Sequence, residues 1–233
     1  MTISNPTPLR LYLIRHGETE WSLSGQHTGV KDIPLTARGE AEARELAQRL
    51  RDIPFAHVLT SPLKRARRTC ELAALNPTPE IEPDLVEWNY GDYEGQRSEE
   101  ILQTQPGWNI FHDGGPNGEN PTQVSDRADR LIARLRTLKG NVALFTHGHF
   151  GRVMAVRWIG IPVATGQHFQ LDTASLSKFG YDPHHRKVPV IMMWNSNSPA
   201  GFESRTTRAI DRWENEGGEI PDQPQQLSDC KLP

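Results

Sequence analysis

Arginines and histidines stand together at separated points of the chain. Arg15 and His16 directly follow an apolar run, Arg65 lies four residues after Ser61, and His147 follows another apolar run. Arginine carries a planar fork of N–H donors that matches phosphate oxygens, and its charge persists at every working pH. A histidine that is neutral at one nitrogen can act as a nucleophile. These residue types together predict phosphoryl-transfer chemistry.

A carboxylate in an aromatic setting could supply the proton that a departing alkoxide needs. Glu87 opens the stretch EWNYGDYEG, in which aromatic residues stand close by in sequence. We therefore predict Glu87 as the general acid, and a surface carboxylate without a chemical role is the alternative. If Glu87 is not the general acid, the next candidates are Glu94, Glu18 and Asp92.

Three short apolar segments are predicted to be the strands that bring these residues together. They are Leu9–Ile14, Phe55–Pro62 and Asn141–Thr146, and each is too short for a helix. Ligands bind beyond the carboxyl ends of strands in open α/β sheets, so the three polar clusters would share one crevice. Strands alternate with helical patterns, which predicts an α/β three-layer sandwich with a mostly parallel central sheet.

Helix starts and a late strand complete the predicted elements. Thr36 is expected to N-cap a helix, and Ser61 is expected to N-cap another with Pro62 at its first position. A helix with apolar residues from Val124 to Leu135 precedes the third strand, and Val188–Trp194 is expected to be a late strand.

The chain is predicted to have one domain, at residues 1–200. Residues 76–121 hold several Pro and Gly residues and aromatics, with a short helix expected near Ser98 to Leu102, and we expect this irregular segment to set substrate specificity. Residues 201–233 are polar and are predicted to be a mobile tail or a flap.

Composition excludes several classes of partner. The 233 residues carry a formal net charge of −3, and no basic block forms an electrostatic footprint for nucleic acid. No window approaches the roughly 18 apolar residues that a membrane-spanning helix needs. The first ten residues lack the pattern of a signal peptide, so a cytoplasmic location is expected. Cys70 and Cys230 have neither a metal nor a redox spacing.

Four blocks resemble the histidine phosphatase superfamily, also called phosphoglycerate mutase-like. In chain order they are LYLIRHGETEW, TSPLKRARRT, EWNYGDYEG and FTHGHFGR, and they lie between residue 9 and about residue 160, roughly two-thirds of the chain. The resemblance implies the phosphoglycerate mutase-like fold. It also implies metal-independent chemistry through a phosphohistidine, without a cofactor.

The resemblance also implies a role for each matched residue. His16 becomes the phosphorylated nucleophile, Arg15 and Arg65 become phosphate clamps, and His147 stabilises the transferring group. Glu87 becomes the proton donor of the first half-reaction and the base that activates water in the second.

Four further residues are implied as secondary contacts to phosphate or substrate: Ser22, Thr28, Gly29 and Gly148. Ser22 stands where the mutase branch commonly has asparagine. The backbone N–H of Gly148 is expected to reach the phosphate.

The segment after Glu87 favours a phosphatase over a mutase. Mutases usually carry Glu-Arg-His-Tyr-Gly where this chain has EWNYG, and they add an arginine-rich insertion where residues 96–120 hold one arginine. We predict a phosphomonoesterase for a small sugar phosphate or bisphosphate, closest to the sedoheptulose-1,7-bisphosphatase-like branch. A phosphoglycerate mutase and a non-catalytic phosphate-binding module are the alternative functions. The sequence leaves open whether the protein forms a homo-oligomer.

A metal hydrolase is a further alternative, because the chain has nine histidines, including the pairs HGH and HH. Yet no carboxylate lies at a helical spacing of four residues from His147 or His149. We therefore predict that no metal is bound.

Overall fold

A mixed six-stranded sheet forms the middle of the protein, in a computed structural model that describes residues 8–197. Its strands are β1 (Arg10–Arg15), β2 (Phe55–Thr60), β3 (Glu80–Ile81), β4 (Asn141–Thr146), β5 (Leu176–Tyr181) and β6 (Pro189–Ser196). Their order across the sheet is β3-β2-β4-β1-β5-β6. The first four run parallel, whereas β5 is antiparallel to β1 and to β6.

Seven α-helices lie within the described part of the chain. They are α1 (Glu20–Ser24), α2 (Ala37–Leu50), α3 (Lys64–Ala73), α4 (Ser98–Thr104), α5 (Ile110–Asp113), α6 (Pro121–Leu135) and α7 (Gly148–Trp158). Short 3₁₀ helices cover Pro83–Leu85, Gly91–Tyr93 and Val163–His168.

Helices cover both faces of the sheet, and the side chains of each buried strand point alternately to one face and to the other. On β1, Leu11 and Leu13 belong to a core cluster that includes residues of α6 and α7. Tyr12 and Ile14 point the other way, into a second cluster with residues of α2 and α3. The predicted α/β three-layer sandwich with a mostly parallel sheet is confirmed.

The predicted strands and helices are found with shifts at some ends. Thr36 caps α2, and its side chain accepts a hydrogen bond from the Gly39 N–H. The prediction that Ser61 caps the next helix is wrong, because α3 begins at Lys64 with Leu63 as its N-cap. The Ser61 hydroxyl lies 2.8 Å from Nε2 of His147, which ties it to the end of β4.

The irregular segment at residues 76–121 holds β3, two 3₁₀ turns, α4 and α5. The helix expected near Ser98 to Leu102 is α4. β5, which pairs with the late strand β6, has no counterpart among the predicted strands. The predicted tail at residues 201–233 lies outside the described residues, so the tail and the domain end at residue 200 stay predictions. No helix within residues 8–197 is long and apolar enough to cross a membrane.

Candidate active site

A cavity of about 180 Å³ opens where β1 and β4 end. Six of the nine predicted site residues line it: Arg15, His16, Ser22, Thr28, Glu87 and Gly148. The convergence predicted from the sequence is therefore present, because residues more than 130 positions apart share one cavity. The other three, Arg65, Gly29 and His147, are not among the lining residues.

His16 follows β1 directly and is 4% exposed. Its Nδ1 lies 2.7 Å from the carbonyl oxygen of Gly17, which only accepts, so Nδ1 carries the proton and Nε2 has the lone pair. Burial, followed by the positive charges of Arg65 and Arg15, holds the pKa of His16 well below its usual range. His16 is therefore a neutral imidazole with a nucleophilic Nε2.

Arg15 ends β1 and places its guanidinium in the cavity. Its Nη1 donates a 2.5 Å hydrogen bond to the carbonyl of Leu171, which fixes the side chain. A Cβ on Gly148 would lie 3.3 Å from the Arg15 guanidinium carbon, a tight contact that glycine avoids. The arginine fork therefore lies beside His16 at the site where an anion would bind.

Arg65 and His147 lie behind the cavity wall, and both are 0% exposed. Nε of Arg65 donates to Nδ1 of His147 at 3.1 Å. Its other nitrogens donate to the carbonyls of Lys31, Thr28 and Gly29 at 2.8–3.1 Å. In this structure Arg65 therefore secures the loop at residues 28–31, and its charge acts on His16 from behind.

The ring of His147 lies 5.2 Å from the ring of His16, measured between centroids. Burial, then the charge of Arg65, holds the pKa of His147 well below its usual range. This histidine is therefore neutral, like His16.

Glu87 is 4% exposed and is held by the first turn of α7. One carboxylate oxygen accepts from the N–H groups of Trp88 and Phe150 at 2.8 and 2.7 Å, and the other accepts from the His149 N–H at 3.0 Å. The first N–H groups of a helix have no partner within the helix, so a carboxylate suits them. Glu87 is consequently fixed in orientation at the edge of the cavity.

Of the four residues predicted as secondary contacts to phosphate or substrate, three line the cavity and one does not. Ser22 lines the cavity and forms a capping box with Thr19 at the start of α1. Thr28 and Gly148 also line the cavity. Gly29 does not, because its N–H donates to Glu94 at 2.8 Å and its carbonyl accepts from Arg65.

Several lining residues were missed as site residues by the sequence analysis, among them Tyr90, His149, Arg152 and Gln26. Tyr90 lies with its hydroxyl 2.5 Å from Nδ1 of His149. The spacing of Gly148 and Arg152 was a usable signal, because residues four apart share a helix face. His27 stacks on Tyr90 with ring centroids 4.7 Å apart.

No group of three or more potential metal ligands occurs within residues 8–197. The pair His184 and His185 lies in an exposed turn, where the backbone N–H groups of both residues donate to the Asp182 carboxylate.

The chain is similar in sequence and in fold to known phosphatases. The chain matches the description "Histidine phosphatase superfamily (branch 1)" over residues 11–197. An acid phosphatase of Mycobacterium tuberculosis is 37% identical over 194 residues, which cover 82% of this chain and 95% of that protein. Sedoheptulose 1,7-bisphosphatase of Saccharomyces cerevisiae is 36% identical over 187 residues, covering 66% of this chain and 69% of that one.

Among solved structures, the product of an open reading frame of Mycobacterium tuberculosis superposes with a TM-score of 0.75 at 35% identity. The match covers 81% of this chain and 97% of that one. The fold and the site thus define a phosphatase of the phosphoglycerate mutase-like class. The chain belongs to the histidine phosphatase superfamily, branch 1.

Proposed function

We propose that this phosphatase hydrolyses a small sugar phosphate or sugar bisphosphate through a phosphohistidine on His16, without a metal. The observation that carries the proposal is the state of His16 in the cavity. Its Nδ1 proton is engaged by the Gly17 carbonyl, so a neutral ring offers its Nε2 lone pair beside the Arg15 guanidinium. A neutral protein nucleophile replaces poorly nucleophilic water in the first step.

In the first half-reaction, Nε2 of His16 attacks phosphorus and the ester P–O bond breaks. Arg15 holds the phosphoryl oxygens, and Glu87 enters protonated and gives its proton to the leaving oxygen. The three backbone N–H groups orient the Glu87 carboxyl and favour its carboxylate, which is the form left once the proton has been given and the form that acts as base in the second half-reaction.

In the second half-reaction, water attacks the phosphohistidine and the P–N bond breaks. Glu87, now a carboxylate, takes a proton from that water, and inorganic phosphate leaves. The cycle returns His16 to its neutral form and Glu87 to its protonated form.

The proposal keeps Arg65 and His147 as groups that stabilise the transferring phosphoryl. Both are buried, where the positive charge of Arg65 is poorly screened by solvent, and the neutral ring of His147 lies 5.2 Å from the ring of His16. Arg65 would act mainly through its charge, because most of its donors are engaged by the loop and by His147.

The proposed secondary contacts are Ser22, Thr28 and the N–H of Gly148, because all three line the cavity. We propose that Gly29 acts indirectly, since its carbonyl anchors Arg65.

Two observations support a small sugar ester as substrate. The cavity holds about 180 Å³, and its wall carries polar rings such as His27 and Tyr90 that suit a hydroxylated ligand. The yeast relative at 36% identity is named for a sugar bisphosphate. The proposal keeps the cytoplasmic location and the small phosphate ester partner expected from the sequence.

The test is phosphate release in excess chelator from sedoheptulose 1,7-bisphosphate, fructose 1,6-bisphosphate and 3-phosphoglycerate. The last is also assayed for isomerisation with 2,3-bisphosphoglycerate present. We expect release from at least one sugar bisphosphate at a rate that chelator leaves unchanged. Isomerisation without release would contradict the proposal in favour of a mutase, and no turnover of any ester would favour a binding module.

A further inference from the structure

A second arginine lies in the same cavity as His16. Arg152 is on α7, four residues after Gly148, so both face the cavity from one side of the helix. The proposed reaction leaves Arg152 without a task, because the transferring phosphoryl is held by Arg15 beside His16.

Arg152 is held in place by contacts that leave part of its fork available. Its Nε donates to the carbonyl of Gly166 at 2.9 Å, and its Nη2 donates to the carbonyl of Gln167 at 2.8 Å. The guanidinium carbon lies 4.5 Å from the centre of the Phe111 ring. Within residues 8–197, Nη1 has no hydrogen-bond acceptor. The guanidinium is therefore pre-oriented with donor capacity left.

The charge of Arg152 also lacks a carboxylate at ion-pair distance among the described residues. Arg127, another arginine with little exposure, has one: its guanidinium lies 2.6 Å from Glu119. Burial lowers the pKa of Arg152 to about 10, which still leaves a cation at neutral pH. Buried cations are costly unless an anion pairs with them.

The rings around Arg152 offer no negative charge. Burial raises the pKa of Tyr90 well above its usual range, so the phenol stays protonated. Burial, followed by the charge of Arg152, holds the pKa of His149 well below its usual range, so that ring stays neutral. The carboxylate of Glu87 lines the same cavity and also acts on Arg152, but it lies beyond ion-pair distance and is engaged by three backbone N–H groups. Arg152 therefore has neutral polar rings as its near neighbours and no carboxylate partner among residues 8–197.

We propose that Arg152 forms a second anion subsite, which binds a second anionic group of the phosphate ester, either a phosphate or a carboxylate. The inference rests on the proposed function, in which the reacting phosphoryl lies at His16. It narrows the substrate class to small esters that carry another anionic group at the far end.

The experiment compares two matched pairs of esters, each with and without the second anion. One pair is fructose 1,6-bisphosphate and the fructose monophosphate, 1- or 6-phosphate, that keeps the ester bond cleaved in the bisphosphate. The other pair is 3-phosphoglycerate and glycerol 3-phosphate. We expect wild type to prefer the doubly anionic member of at least one pair in kcat/KM. The pair that shows the preference tells a phosphate from a carboxylate.

Arg152→Met should reduce that kcat/KM ratio by about ten- to a hundredfold, the range for hydrogen bonds to a charged group. The matched control is Arg157→Met on the same helix, whose guanidinium lies 2.6 Å from Asp129 and does not line the cavity. The control should keep the wild-type ratio. An unchanged ratio in Arg152→Met would overturn the subsite and leave Arg152 a purely structural group.

Two outcomes keep this test separate from folding and from the proposed function. If Arg152→Met does not fold, wild type still decides, because the absence of a preference for the doubly anionic member in both pairs would overturn the subsite. If wild type releases phosphate from none of these esters or of the earlier panel, the proposed function fails. Calorimetric binding of the same pairs to wild type then tests the subsite, and equal affinities within each pair would overturn it.

Discussion

Arg65 donates from Nε to Nδ1 of His147 across 3.1 Å, and neither side chain is exposed. An arginine Nε only donates, so Nδ1 is the acceptor and Nε2 of His147 carries the proton. That Nε2 lies 2.8 Å from the Ser61 hydroxyl and donates to it. One chain of hydrogen bonds thus joins α3, the end of β4 and the segment after β2, directly behind His16.

Arg65→Met should lower the free energy of unfolding by about 3 kcal/mol or more. The change leaves three backbone carbonyls and the His147 Nδ1 without their donor in a buried place. Urea unfolding measures the effect. Arg67→Met is the control, because Arg67 is exposed on the same helix and should change stability by about 0.5 kcal/mol at most. Equal midpoints for both variants would contradict the role of Arg65 in holding the loop.

Glu87→Gln should slow an alkyl phosphate far more than an activated aryl phosphate, because the aryl leaving group needs little protonation. The measurement is the ratio of kcat values for a sugar phosphate and p-nitrophenyl phosphate. Glu94→Gln is a matched control, since the Glu94 carboxylate also accepts three backbone N–H groups, from Gly29, Val30 and Lys31.

We expect Glu94→Gln to reduce both rates by a similar factor, because Glu94 is not in the cavity. Equal losses on both substrates in Glu87→Gln would remove the proton-donor role from Glu87.

Stability should fall as the pH is lowered below 6.5. Burial is the first cause of the lowered pKa of His16, His27, His147 and His149, and the pKa of His27 falls to about 4. Below about pH 6.5 these four histidines bind protons in the unfolded chain and stay neutral in the folded chain, so protonation favours unfolding. Each such histidine contributes up to about 1.4 kcal/mol per pH unit.

Urea unfolding at pH 7.5, 6.5 and 5.5 would measure this slope. His27→Gln should make it shallower, whereas His184→Gln, in an exposed turn, should leave it unchanged. A free energy of unfolding that stays constant from pH 7.5 to 5.5 would show that these histidines bind protons in the folded state.

The fold was predictable wherever burial leaves a periodic mark. β1, β2 and β4 are short apolar runs, buried in the middle of β1, in the second half of β2 and along all of β4. α6 shows its buried face in the spacing of Val124, Leu131 and Leu135. Ser61 misled the prediction, because a Ser-Pro pair is a good helix start in isolation. Its hydroxyl contacts His147 instead, a partner that is distant in sequence and invisible to local pattern.

The candidate site was predictable to the extent that it lies at strand ends. Arg15 ends β1, and His16 and Gly148 follow β1 and β4, whose parallel order brings their carboxyl ends together. Tyr90 was missed because its place depends on how the irregular segment folds against α7. Arg152 could have been found from its position four residues after Gly148 on the same helix. The burial of Arg65 could not be predicted from the sequence either, because its position is set by hydrogen bonds to carbonyls of the loop at residues 28–31.

The most direct test of the central claim is to trap the phosphoenzyme. Wild type is mixed with a turned-over ³²P-labelled ester, quenched within milliseconds, and assayed for protein-bound phosphate that is labile to acid and stable to base. We predict such label on His16, its absence in His16→Ala together with loss of turnover, and its retention in His184→Ala. Turnover by His16→Ala, or acid-labile label on another residue, would contradict His16 as the nucleophile.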